Sequence, residues 1–177
     1  MNLPDLYAYL VRARRPLWAV LEAAPPEVLA RPLLGGERFR CISDLVLHTA
    51  QVEDGWLHGD LQGLPMLLDG FPALKDRTDA SQVPLADLLT YWRAVEEGTE
   101  RYLAGLTDAD LDRTVRPDDW QGLGFTVDGL LWHVLLHEVR HSAQIAALLR
   151  MQDVAPPPLD LLWYLPGVPE FLREPRP

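Results

Sequence analysis

Apolar side chains recur at helical spacing through four long blocks of this chain, and the every-second-residue alternation of a half-buried strand is nearly absent. That pattern restricts the fold to an all-α class, because four apolar stripes are buried most simply against one another as a four-helix bundle. The first block, "LPDLYAYLVRARRPLWAVLEAA", places Pro4 in a first turn and ends before Pro25 and Pro26, while Pro16 inside it predicts a kink near residues 12–16. The second runs from Ile42 to Leu61 and is closed by Gly63 and Pro65, with Cys41 a poor N-cap. Residues 62–83 read as a long loop between helices 2 and 3, with room for one short helical turn. The third block begins at Pro84, and Thr107 caps a short turn in "TDADLD". The irregular "RPDDWQGLGF" is the best place for a short strand pairing. Thr126 caps the fourth block, Val127 to Met151, which "APPP" stops. A short apolar helix in "LDLLWYL" and a fraying "REPRP" are expected within residues 159–177.

A chain of 177 residues with 48% hydrophobic side chains can bury one proper core, and no repeat or long linker divides it, so residues 1–177 are expected to form a single domain. The formal charge of −10 sets a polyanionic partner against net repulsion. The one compact basic cluster, Arg12, Arg14 and Arg15, spreads over more than one helix face and reads as solvated surface, so no nucleic acid partner is expected. The single cysteine, Cys41, excludes an intramolecular disulfide and a cysteine-based zinc cluster, which leaves histidines and carboxylates to hold any metal. With no bilayer-length apolar run and no basic-then-apolar leader, the expectation is a cytoplasmic protein without membrane contact.

Of five histidines, His133, His137 and His141 follow one another at i+4 on the fourth block, the last two framing "HEVRH". Imidazoles at i and i+4 lie on one helix face about 6 Å apart, close enough for both to reach an ion at about 2.0–2.1 Å. His133 and His141 are separated by about 12 Å along the axis, too far to share one ion. The chelating pair is therefore His133 with His137 or His137 with His141. A third ligand must come from another helix. His48 and His58 lie about 15 Å apart on the second block, so only one can join; His48 sits within the helix, whereas His58 is near its end, where solvent is expected. Cys41, about 10 Å from His48 along the same helix, cannot complete the set. A three-histidine site with one open position follows.

"HEVRH" also has the form of the zinc-protease motif, in which the glutamate is the general base. Helical proteases of that kind take a third ligand downstream. Here "HSAQIAALLR" offers none, and Asp153, Asp160 and Glu170 are poorly placed, so a peptidase is not expected.

The segments "ISDLVLHTAQVEDGW" and "LLWHVLLHEVRHSAQIAALLR", with "LAGLTDADLDR" between them, resemble the DinB/YfiT-like family of damage-inducible, metal-binding four-helix proteins over about residues 3–152. The resemblance implies that His48, His137 and His141 bind one divalent metal, zinc or nickel. Where the family often carries Arg-Gly after the last ligand, this chain has Ser142 and Ala143. It further implies a metal-dependent thiol S-transferase joining a low-molecular-weight thiol to a small electrophile, and a homodimer. The alternatives are a metal-dependent hydrolase or a non-catalytic small-molecule binding or stress-response protein. Around the ligands, Asp44 is placed to accept the second N–H of His48, Gln144 to serve His141 similarly, and Glu138 to face away from the ion. His133 is expected to line the pocket or satisfy a buried carbonyl, and Trp56, Trp92, Trp120 and Trp132 to wall a cavity or pack in the core.

Overall fold

The structure is a computed structural model and describes residues 2–165 and 167–170. Helix α1 (Leu3–Ala23) starts at a reciprocal cap, in which the Asn2 side chain accepts the Asp5 N–H at 2.9 Å and Asp5 accepts the Asn2 N–H at 3.3 Å. Pro16 lies inside α1, which remains helical through it. A short α2 (Pro26–Ala30) interrupts the connection to α3 (Ile42–Asp54), which continues into wider π-helical turns at Gly55–Leu61. The long loop that follows contains one 3₁₀ turn, Leu67–Gly70. Next come α4 (Leu85–Ala104), short α5 (Asp108–Leu111) and β1 (Thr114–Val115), which pairs antiparallel with β2 (Phe125–Thr126) on either side of the irregular stretch. The last long helix, α6 (Val127–Arg150), is capped by Thr126, whose hydroxyl accepts the Gly129 N–H at 3.1 Å. The apolar C-terminal piece is a 3₁₀ turn, Leu161–Tyr164; residues 173–177, expected to fray, lie outside the described residues.

The long helices close a bundle in which α3 packs on α4 and α6, and α1 on α6 and α4. Two apolar clusters fill it. One gathers Leu17, Leu21, Ile42, Leu45, Trp92 and Ile145; the other gathers Leu6, Leu10, Leu57, Leu131 and Leu135. Each such leucine contributes about 1.5–3 kcal/mol by leaving water, and together they fix the faces that α3 and α6 turn toward each other.

Between the apolar clusters lies a charged centre that overturns one sequence expectation. Arg14 is not solvated surface; it is 1% exposed. Its Nε and Nη2 donate a two-pronged pair to Glu138 of α6 at 2.7 and 2.6 Å, Nη2 also reaches Glu53 of α3 at 2.7 Å, and Nη1 reaches Glu96 of α4 at 3.0 Å. The Tyr7 and Thr99 hydroxyls donate to Glu53 at 2.7 and 2.8 Å, and Arg15 pairs with Glu96 from the half-exposed side. One guanidinium thus joins all four helices. Burial raises the Glu138 carboxyl above its ordinary range, and Arg14 opposes that rise.

His58 is a second departure. Instead of meeting solvent it is 5% exposed, with Nδ1 2.9 Å from Asp54 Oδ1. Asp54 also accepts the Leu67 and Leu68 N–H groups and the Tyr91 hydroxyl. Burial works against the charged form of Asp54, but these hydrogen bonds hold its carboxyl below the usual range. The imidazole fits because α4 presents Gly98; a Cβ there would stand 2.3 Å from His58 Nε2.

Candidate metal centre

His48 comes from α3, and His137 and His141 come one turn apart from α6, each where its helix faces the other. The three Nε2 atoms converge: His137 Nε2 lies 3.1 Å from that of His48 and 3.0 Å from that of His141. One nitrogen from each ring falls within 4.8 Å of the others. A tetrahedral ion at about 2.0–2.1 Å would hold ligand nitrogens about 3.3 Å apart, close to both separations from His137 Nε2. His141 Nδ1 lies 2.6 Å from Gln144 Oε1. An Nδ1–H donated there leaves the Nε2 lone pair facing its neighbours, which is the tautomer that coordination requires. Burial, then the neighbouring rings and guanidinium groups, lowers His48 to about 4 and His137 to about 3, and burial also lowers His141. Three uncharged imidazoles aimed at one point form a donor set that a divalent cation satisfies and a proton does not.

Asp44 does not support His48. Its carboxylate caps the start of α3 by accepting the Arg40 and Cys41 N–H groups at 2.9 and 3.3 Å, and it also accepts the Ala80 N–H at 2.7 Å. Three backbone donors claim the side chain at the far end of the turn from His48. The Cys41 thiol, held up to about 11 chiefly by burial, stays protonated at neutral pH, and Cys41 is not part of the histidine cluster. Glu138 faces away from the imidazoles into the Arg14 centre.

His133 stands one turn before His137, with ring centroids 5.9 Å apart, and lines a cleft of about 390 Å³ with Trp56, Trp120, Phe125 and Leu130. The Trp56 ring meets that of His133 edge-on, with centroids 5.7 Å apart, and lies tilted against that of Trp120 at 6.0 Å. The four tryptophans singled out in the sequence do not share one wall. Trp92 is fully buried against Trp18, and Trp132 lines a separate cleft beside Leu103 and Leu106.

Three residues at this site carry no sequence signal. Phe39 rests its ring 4.2 Å from that of His48, from a backbone with φ +58° that a bulky side chain seldom adopts. The Arg38 guanidinium lies over the Phe39 ring, 4.8 Å from its centroid, and Arg140 Nη2 lies 3.4 Å from His141 Nε2. Loop residues have no periodicity to mark them, and Arg140 reads as an ordinary exposed helix position.

A family model described as the DinB family matches residues 1–171. Among solved structures, a conserved protein from Enterococcus faecalis superimposes with a TM-score of 0.68 at 18% identity, covering 85% of this chain and 97% of that one, which is a likeness of fold. No curated protein matches the chain. Among the described residues, no helix is long and apolar enough to cross a membrane.

Proposed function

The chain belongs to the DinB family, and from that premise we propose that it binds one divalent ion, zinc or nickel, through His48, His137 and His141 and acts as a metal-dependent thiol S-transferase. The observation that carries this reading is the convergence of three imidazole nitrogens, with no fourth His, Cys, Asp or Glu in the cluster among the described residues. Structural zinc is normally closed by four protein ligands, whereas three ligands leave room for a reactant. When bound, such an ion lowers the pKa of a thiol brought to its open side and so supplies a nucleophile at neutral pH.

The protein's own part is orientation and exclusion. Gln144 holds the His141 ring through Nδ1, and the Arg14–Glu138 pair fixes the rotation of α6 that aims both of its imidazoles at His48. The cleft of Trp56, Trp120, Phe125 and His133 offers an apolar wall beside His137 for the electrophile. In the reaction the thiol gives its proton to solvent, sulfur bonds to the electrophilic carbon, and the leaving group departs with the electron pair of the bond that breaks. A cytoplasmic homodimer belongs to the same proposal, and exposed Leu136 and Val139, three residues apart on α6, supply an apolar strip for the partner copy.

Metal analysis after equilibrium dialysis, followed by incubation of the loaded protein with several low-molecular-weight thiols and an electrophilic reporter, tests the reading. One equivalent of metal and thiol-dependent turnover, both abolished in His137→Ala, is the expected result. Product formation without thiol would replace it with a hydrolase, and tight ligand binding without turnover would replace it with a sensor.

A further inference from the structure

At the mouth of the three-histidine cluster the charge is opposite to that of the chain. The sequence carries a formal −10, yet Arg38 and Arg140 both stand at this site, and no carboxylate among the described residues forms an ion pair with either. Arg140 Nη2 is 3.4 Å from His141 Nε2, the same nitrogen that faces His137 at 3.0 Å, so its guanidinium stands beside the point where the imidazoles converge. Arg38 reaches the site from the opposite element: its guanidinium stacks on Phe39, and Phe39 stacks on His48. The left-handed backbone at Phe39 places that stack, and strain of this kind persists only where the surroundings enforce it.

Charge balance gives the arrangement its meaning. The histidine cluster contains no carboxylate. A divalent ion on three neutral imidazoles would keep its full charge, and two guanidinium groups would add to it. Arg38 and Arg140 are exposed, so an anion entering from outside can reach both and offset that positive charge. Guanidinium presents a planar fork of donors matched to a carboxylate, which a point charge such as lysine does not.

We infer that Arg140 and Arg38 form a carboxylate-recognition pair, so that the ligand taken at the open side of the metal centre is a small molecule bearing a carboxylate within a few bonds of its reacting group. The pair acts on which ligand is admitted, with Arg140 nearest the reacting atoms and Arg38 at the rim. This specificity rests on the metal-centre reading above.

The test uses the full chain loaded with cobalt(II), titrated with 3-mercaptopropionic acid and separately with its methyl ester, each followed by the thiolate-to-cobalt absorption. The acid should bind about tenfold tighter than the ester or better, and added salt should narrow the gap. In the double variant Arg140→Gln with Arg38→Gln the acid-to-ester ratio should fall to near one, and in Arg140→Lys part of the preference should remain. Because the readout is a ratio, a change in cobalt affinity cancels from it. Equal binding of acid and ester by the unaltered protein, or a ratio that survives in the double variant, overturns the inference while leaving the metal centre standing. Failure to take up cobalt removes both.

Discussion

Replacing Arg14 with leucine asks whether the charged centre holds the bundle together. The change strands Glu53, Glu96 and Glu138, each no more than 5% exposed, with Arg15 able to reach only Glu96. Deleting one partner of a buried ion pair costs about 3–5 kcal/mol, and four guanidinium hydrogen bonds to carboxylates and one to the Tyr7 hydroxyl are lost here, which places the expectation at the upper end. Against a total stability of about 5–15 kcal/mol, that is a large share. At about 2–4 °C of Tm per kcal/mol for a chain of this size, the melting temperature should fall by about 10–20 °C. The pH dependence identifies the cause. Without the guanidinium, burial raises the folded-state carboxyl values above the unfolded value of about 4.3, so the folded form binds more protons than the unfolded form between the two. Stability is then lost as pH rises through that window and recovered as pH falls, by about 1.4 kcal/mol per pH unit for each carboxyl concerned. Urea unfolding followed by circular dichroism between about pH 7 and 5, with exposed Arg12→Leu as a control expected within about 0.5 kcal/mol, measures it. An Arg14→Leu midpoint equal to that of the unaltered protein, or a deficit that stays constant across that range, would refute the reasoning.

Two neighbours of the histidines should separate stability from metal affinity. Asp44→Ala, which leaves the buried Ala80 N–H without its acceptor, should lower stability by about 1–3 kcal/mol with little change in zinc affinity. Gln144→Ala, which frees His141 Nδ1, should weaken zinc binding about 10- to 100-fold with little change in unfolding midpoint; calorimetric titration and urea melts decide, and exchanged effects would disprove both assignments. Acidification provides another check on the metal-free protein. His48 near 4 and His137 near 3 are depressed from 6.5, so the unfolded chain binds more protons as pH falls. Their contribution is complete above about 6.5 and is lost toward 4. Replacing both with alanine should flatten the decline in stability between about pH 6.5 and 4.5, and an unchanged slope would count against neutral buried imidazoles.

Much of the architecture was legible in the sequence because apolar spacing and caps are local properties. The four long helices, the Thr126 cap and the loop with its 3₁₀ turn fall where periodicity and punctuation place them. Helix geometry narrowed the histidine cluster to His48 with one of two i, i+4 pairs on the fourth helix, and the family resemblance picked His137 with His141, the pair that meets His48 here. Arg14 was misread because its charge counted as surface, although it continues the stripe of Leu6, Leu10, Leu17 and Leu21 at offsets a core residue would have. Glu53, Glu96 and Glu138 interrupt their own stripes in the same way, and an anion on each of three stripes facing a cation on the fourth is a detectable pattern. Asp44 was misassigned because sequence spacing brought it within a turn of His48, while the donor that completes its coordination, Ala80, comes from a distant loop. Phe39 and Arg38 depend on a loop path that no period encodes.

Helix α6 is held on two adjacent faces within about one turn, by imidazole neighbours at His137 and His141 and by the fork of Arg14 at Glu138. A rod clamped in this manner can neither roll nor slide without breaking one hold or the other, so it serves as the anvil of the molecule rather than its moving part. The loop bearing Phe39, by contrast, is built over residues 31–40 of exposed or partly exposed residues outside the long helices, whereas the strand-and-turn segment bearing Trp120 is tied to the core through buried Val115.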